Sequence, residues 1–239
     1  MYRHRSLSIA LIAVLIILVV ISADLTLTQT AAEPIRVACV GDSITEGSGY
    51  PTKLQMMLGS GYMVANFGVS GSTVVNNSTI PYMNQSAFER AKSFNPDIVI
   101  IMLGTNDANG NISRSEDNFE ADYSQLIAHF QQLVGKQLVW VVRSPPIFNT
   151  NSAWNNTVLK DTILPHVDRI ADQFNLPVID MYETFGNRTE LLADGIHPTD
   201  DGSTVIASTV YEAITTPDGS PDTNLFGDDY SGYLFLFGS

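Results

Sequence analysis

The sequence predicts a doubly wound, three-layer α/β/α sandwich with a five-stranded, mostly parallel sheet. Three observations carry that expectation. From Ile35 onward, short apolar runs alternate with stretches of helical periodicity. The run Ile98-Val99-Ile100-Ile101-Met102-Leu103 has no polar alternation, which marks a strand covered on both faces, as parallel strands are. No internal repeat or second domain is evident in residues 34–215, so one domain accounts for them.

Strands are expected at residues 35–40, 62–67, 97–103, 137–142 and 177–180, each a short apolar run bounded by polar or turn-forming residues. Helices are expected at 51–58, 86–93, 117–133, 156–174 and 202–214. The third is the clearest, because Phe119, Tyr123, Leu126, Ile127 and Phe130 fall along one side. The fourth reads as mostly helical despite Pro165.

Residues 1–33 read as a targeting segment plus a short linker. Arg3, His4 and Arg5 precede a dense apolar stretch from Ile9 to Ile21, and Ser22-Ala23 follows. A basic start, an apolar middle and small residues afterwards describe a secretory signal. Cleavage after Ala23 or near Ala31-Ala32 and retention as a membrane anchor are both open. Either way the domain is expected outside the cytoplasm, and any membrane contact is through this segment alone. Sequons begin at Asn76, Asn77, Asn84, Asn111, Asn155 and Asn187; they are read mainly as polar loop composition. Residues 216–239 read as an acidic, flexible tail that ends in a short apolar run.

The formal net charge of the 239-residue chain is −13. That field repels polyanions, so nucleic acid is not an expected partner. The single cysteine, Cys39, sits inside an apolar strand-like run. It can form no intramolecular disulfide, builds no cysteine-based metal site and reads as a buried, inert thiol.

The residues that carry chemistry fall in four short motifs: Gly41-Asp42-Ser43-Ile44, Gly68-Val69-Ser70-Gly71, Gly104-Thr105-Asn106-Asp107 and Asp194-Gly195-Ile196-His197-Pro198. The first three each follow a predicted strand directly, so all three open at the carboxyl edge of the sheet, where ligands of such folds sit. Ser43 is the candidate nucleophile, His197 its base and Asp194 the acid that orients the imidazole. Three donors are candidates for an oxyanion hole: the N–H of Ser43, the N–H of Gly71 and the side-chain amide of Asn106. Each motif alone has a plainer reading. Gly-Asp-Ser is most often a turn or a helix cap, Gly-Thr-Asn-Asp a loop, and Asp-Gly-Ile-His-Pro a turn or a lone metal ligand. Asp42 and Asp107 read as loop hydrogen-bond acceptors. His129 and His166 lie in helix-like stretches with no serine or acid context.

Together the motifs resemble those of the SGNH (GDSL) hydrolase family, and the resemblance covers roughly residues 35–214. Residues 41–47 are similar to the block that carries the serine, 66–73 to the block whose later glycine, here Gly71, donates to the oxyanion, 104–107 to the asparagine block and 194–198 to the block with acid and base. The resemblance implies a flavodoxin-like fold and ester hydrolysis through an acyl-serine intermediate, without metal or organic cofactor. It leaves the substrate open, since the family spans lipases, lysophospholipases, thioesterases and carbohydrate deacetylases.

Export disfavours cytosolic thioesters, and the absence of a long apolar lid segment weakens a long-chain lipase reading. The stretch 143–148 and the aromatic residues Tyr50, Tyr82 and Trp154 are candidate walls of a small pocket, although Tyr50 and Trp154 read equally well as packing residues. The expectation is a short-acyl esterase acting on small-molecule or glycan esters such as acetylated carbohydrates. A lysophospholipase or short-chain lipase is the alternative enzyme. A non-catalytic glycan-binding or surface protein on a hydrolase scaffold is the alternative of another class.

Overall fold

The computed structural model describes residues 32–110, 116–135, 137–149 and 153–216, with the side chains of residues 116 and 117 excepted. The expected export signal, the sequon at Asn111 and the acidic tail beyond Thr216 lie outside the described residues. The chain divides into two compact units, Met1–Glu33 and Pro34–Ser239, and the sheet belongs to the second.

Five strands form that sheet: β1 (Ile35–Gly41), β2 (Tyr62–Gly68), β3 (Ile98–Met102), β4 (Leu138–Arg143) and β5 (Val178–Asp180). Their order is β2-β1-β3-β4-β5 and every pairing is parallel. The α-helices between and after them are α1 (Ser43–Gly47), α2 (Tyr50–Leu58), α3 (Ser86–Ser93), α4 (Glu116–Gln131), α5 (Asn156–Val158), α6 (Leu164–Phe174), α7 (Met181–Phe185) and α8 (Asp200–Thr215). The doubly wound sandwich expected from the strand–helix alternation is therefore the observed architecture.

Alternate strand residues point to opposite faces, and both faces are covered. Ala38, Val40, Val99, Ile101, Val139 and Val141 join Phe88, Phe119, Tyr123, Phe130 and Val167 in one apolar cluster. Val37, Cys39, Ile98, Ile100, Met102 and Trp140 join Tyr50, Leu54, Ile206 and Val210 in the other. All five residues of β3 are buried, which explains its unbroken apolar sequence. Cys39 is buried, and burial pushes its thiol up to about 12, in keeping with an inert thiol.

The register sets the site. Gly41 at the end of β1 is level with Gly68 of β2 on one side and Met102 of β3 on the other. The loops that leave those strands start side by side, at the point where the strand order reverses.

Local deviations from the sequence reading have local causes. α1 is a single turn that starts one residue after β1, too short to show a period. Between α5 and α6 the chain makes a wide π turn at Leu159–Ile163, closed by Leu164 N–H to the Leu159 carbonyl. Pro165 follows immediately, lacks an N–H and occupies the first turn of α6, where that lack costs least. The helix continues through the proline because the turn widens just before it.

Gly202 in the first turn of α8 gives a test of the packing. Alanine normally stabilises a helix over glycine by about 1 kcal/mol. Here an added Cβ would lie 2.2 Å from the Leu191 carbonyl oxygen. Gly202→Ala is expected to destabilise the protein by about 1–3 kcal/mol in urea unfolding; a stabilised variant would contradict the close approach of α8 to residue 191.

Candidate active site

Ser43 owes its position to the turn that joins β1 to α1. Asp42 caps α1: its Oδ1 accepts from the Ile44 N–H at 2.9 Å. Gly41 admits no side chain, because a Cβ there would lie 2.0 Å from Thr45 Oγ1 and 2.7 Å from the Met102 carbonyl oxygen. The chain therefore turns sharply and presents Ser43, half-buried, as the first residue of the helix.

His197 arrives from the far end of the chain. Ser43 Oγ lies 2.9 Å from His197 Nε2, across a separation of 154 residues. On the other side of the ring, Nδ1 lies 2.7 Å from Asp194 Oδ2. Asp194 Oδ1 accepts from the backbone N–H groups of Ile196 at 2.9 Å and His197 at 2.8 Å. Partial burial acts to raise the Asp194 carboxyl. The hydrogen bonds from His197 and Ile196 outweigh it and hold the group down at about 2. The charged carboxylate thus faces the ring nitrogen remote from Ser43, the arrangement that fixes a tautomer able to accept the serine proton.

The turn that carries this pair is closed by Ala193 N–H to the His197 carbonyl at 2.8 Å. It is docked by Phe148 N–H to the Gly195 carbonyl at 2.7 Å. Gly195 has φ +83° and its missing Cβ would sit 2.7 Å from Asn149 N. Glycine is required there on both counts.

Gly71 and Asn106 meet at the same edge. Gly71 has φ +77°. Among the described residues, none accepts from its N–H or from that of Ser43. Asn106, 7% exposed, donates from Nδ2 to the Ser72 carbonyl at 3.0 Å and accepts at Oδ1 from Trp154 Nε1 at 3.1 Å. One amide hydrogen remains beyond the bond to Ser72. All five residues singled out from the sequence, Ser43, Gly71, Asn106, Asp194 and His197, thus come from the loops at one rim.

Two supporting residues, Glu46 and Asn66, were given no role in the sequence reading. Glu46, one turn after Ser43, accepts from Ser70 N–H at 2.9 Å and from the Ser70 hydroxyl, and so braces the loop that holds Gly71. Asn66 ties the end of β2 to α1 through the Thr45 carbonyl at 2.8 Å. Asp107 is an acceptor, as expected, for Val74 and Val75 N–H at 3.0 and 3.1 Å, linking the third loop to the second.

Two pocket-wall expectations are corrected. Tyr50 and Tyr82 are 0% exposed. Tyr82 donates to the Phe67 carbonyl and Tyr50 packs in the core below α1, so both are packing residues. In the stretch 143–148, residues 144–147 are buried and Arg143 pairs with Asp180. Of the three aromatic residues, only Trp154 reaches a site residue. The helical histidines also have partners elsewhere: His166 bonds Glu120, and His129 packs edge-on to Phe88.

Asp42 is 1% exposed, and its Oδ2 has no partner among the described residues. Burial pushes its carboxyl up to about 7; the nearby charge of Asp107 adds to the rise, while the Ile44 N–H and the His197 ring oppose it. A carboxyl raised on folding adds stability that is complete below its unfolded value of 3.8 and is lost as pH rises toward about 7. Asp42→Asn keeps the cap acceptor and removes that loss. Over this window the variant should gain on the wild type by up to about 1.4 kcal/mol per pH unit. Parallel urea-unfolding curves between pH 4 and pH 7 check this; a constant difference would contradict a neutral buried Asp42.

The geometry can be compared with known proteins. The GDSL-like lipase/acylhydrolase family matches residues 39–205. A protein named acetylxylan esterase from Xylanibacter ruminicola is 35% identical over 208 residues, 76% of this chain; the chain spans 43% of that relative's length. Among solved structures, an acetyl xylan esterase superposes with a TM-score of 0.63 at 22% identity, over 75% of this chain and 100% of that one. A lipase/acylhydrolase from Enterococcus faecalis gives 0.60 at 21% identity, over 75% and 95%. The match runs from β1 into α8 and contains Ser43, Gly71, Asn106, Asp194 and His197, so the chain belongs to the GDSL-like lipase/acylhydrolase family, a family of carboxylic ester hydrolases.

Proposed function

We propose that this protein is a serine esterase that removes short acyl groups, acetyl above all, from carbohydrates. The observation that carries the reaction is the continuous relay Ser43 Oγ to His197 Nε2 at 2.9 Å and His197 Nδ1 to Asp194 Oδ2 at 2.7 Å. Ser43 Oγ attacks the ester carbonyl carbon while His197 Nε2 takes its proton. The oxyanion is held by the N–H groups of Ser43 and Gly71 and by the Asn106 amide. His197 then gives the proton to the leaving alcohol oxygen, and the C–O bond breaks to leave an acetyl-serine. Water attacks that ester with His197 again as base, releasing acetate and restoring Ser43. Asp194 stays ionised through the cycle and stabilises the imidazolium. Because the base must be neutral, the rate falls toward acid pH.

The carbohydrate acetyl ester as substrate is supported by the 35% identical relative named acetylxylan esterase. It is also supported by the openness of the rim. The side chains of His197 and Asp194 are 45% and 53% exposed, which leaves room for an ester carried on a polymer. The basic-then-apolar start of the chain supports a site of action outside the cytoplasm, where such polymers are met.

Ser43→Ala is expected to lower kcat on p-nitrophenyl acetate by at least about 10³-fold. Equal rates for variant and wild type would favour a glycan-binding role instead. On a chain-length series, acetyl esters and acetylated xylan oligosaccharides should turn over faster than octanoyl esters or lysophospholipid. The reverse order would leave the mechanism standing and overturn the substrate.

A further inference from the structure

Asn106 can serve an oxyanion only in one of its two amide orientations. A flip about its terminal torsion would aim the carbonyl oxygen, a repulsive group, at the developing negative charge. What sets the flip is therefore part of the site. An indole N–H is a donor and never an acceptor; a backbone carbonyl is an acceptor and never a donor. Trp154 Nε1 lies 3.1 Å from Asn106 Oδ1, and the Ser72 carbonyl lies 3.0 Å from Nδ2. The flipped amide would face N–H against N–H at one end and oxygen against oxygen at the other. The residue is only 7% exposed, so water cannot readily replace either partner.

The indole is itself held in place. Residue 154 forms an antiparallel bridge with Asn109, flanked by Gly110 N–H to the Ala153 carbonyl at 3.0 Å and Asn155 N–H to the Ala108 carbonyl at 3.2 Å. The bridged segment from Ala108 to Gly110 continues directly from the 3₁₀ turn Asn106–Ala108, so the backbone that carries the amide is paired with the segment that carries its lock. On the other side, Asn155 Oδ1 caps α5 through Thr157 N–H at 2.8 Å. Asn156 Oδ1 accepts from Ile147 N–H at 2.8 Å. Trp154 thus stands between two anchored segments.

We propose that Trp154 is a positioning residue for catalysis: its indole N–H locks the Asn106 amide in the orientation that donates to the oxyanion. This rests on the proposed role of Asn106. It is separable from that role because Trp154 should matter only while Asn106 is present.

The test is a double-mutant cycle on p-nitrophenyl acetate with the full chain. Trp154→Phe keeps an aromatic ring and deletes the N–H; kcat should fall about 10-fold with KM nearly unchanged. Asn106→Ala alone should lower kcat by about 10²- to 10³-fold. Adding Trp154→Phe to Asn106→Ala should then cost less than about twofold, because the residue it acts through is gone. Equal losses in both backgrounds would overturn the proposal, as would a rise in KM at constant kcat, the mark of a residue that only walls the substrate. A wild-type rate for Asn106→Ala would sink the oxyanion reading and the proposal with it. Should Trp154→Phe fail to fold, site-specific 3-benzothienylalanine at position 154 preserves the ring outline and replaces N–H by sulfur. The same loss of kcat is expected there, and full activity would contradict the lock.

Discussion

The centre of the sheet is buried on both faces, and that constraint organises everything else. β3 has no exposed residue and most of β1 has none. No polar side chain can be placed along those strands without a large desolvation cost. Polar chemistry is forced to the strand ends, and parallel pairing puts all the carboxyl ends on one edge. The level register of Gly41, Gly68 and Met102 brings three loops to that edge at once. A one-residue slip in either pairing would shift those loops relative to one another and turn the side chains of the slipped strand to the wrong face.

Side-chain to backbone hydrogen bonds tie the loops to one another. Asp107 takes the N–H groups of Val74 and Val75, Glu46 takes that of Ser70, and Asn106 bonds the Ser72 carbonyl. Each joins one loop to the next, so Gly71 and Asn106 are fixed relative to Ser43 before any substrate arrives. In the reaction proposed above, donors fixed in advance would need no rearrangement as charge develops, which is where such sites gain most. The turn 194–197 is docked differently, by the close backbone approach of Gly195 to Asn149 and the bond from Phe148. Apart from Glu46, the bracing groups are wholly or partly buried, so losing any one of them leaves a polar partner behind with little access to water.

Much of this was readable in the sequence where one residue type has one physical use. The unbroken apolar run of β3 follows from a local pattern, whereas Ser43, Asp194 and His197 stood out only when the four motifs were taken together, since each motif alone has a plainer reading. Gly71 was readable because a residue without a Cβ lets the backbone approach a ligand closely, and Gly195 because it gives its turn room; the left-handed backbone at both is seen only in the fold. Tyr50, Tyr82 and Trp154 were not separable, since an aromatic side chain serves equally as a core residue, a pocket wall or a hydrogen-bond donor. Only the fold shows that the first two are sealed in and that the third reaches across 48 residues to Asn106. Glu46 was hidden for a similar reason: one acidic residue on a five-residue helix gives no periodic signal, and its partner lies 24 residues away.

The most direct test of the account is covalent labelling. An acetyl-ester-mimicking phosphonate carrying a p-nitrophenyl leaving group should phosphonylate a serine whose hydroxyl is activated by a nearby imidazole, and peptide mass spectrometry reads which one. The account predicts a single adduct on the peptide that contains Ser43, formed much more slowly in His197→Ala. Labelling of a different residue, or labelling of Ser43 at the same rate without the imidazole, would contradict it.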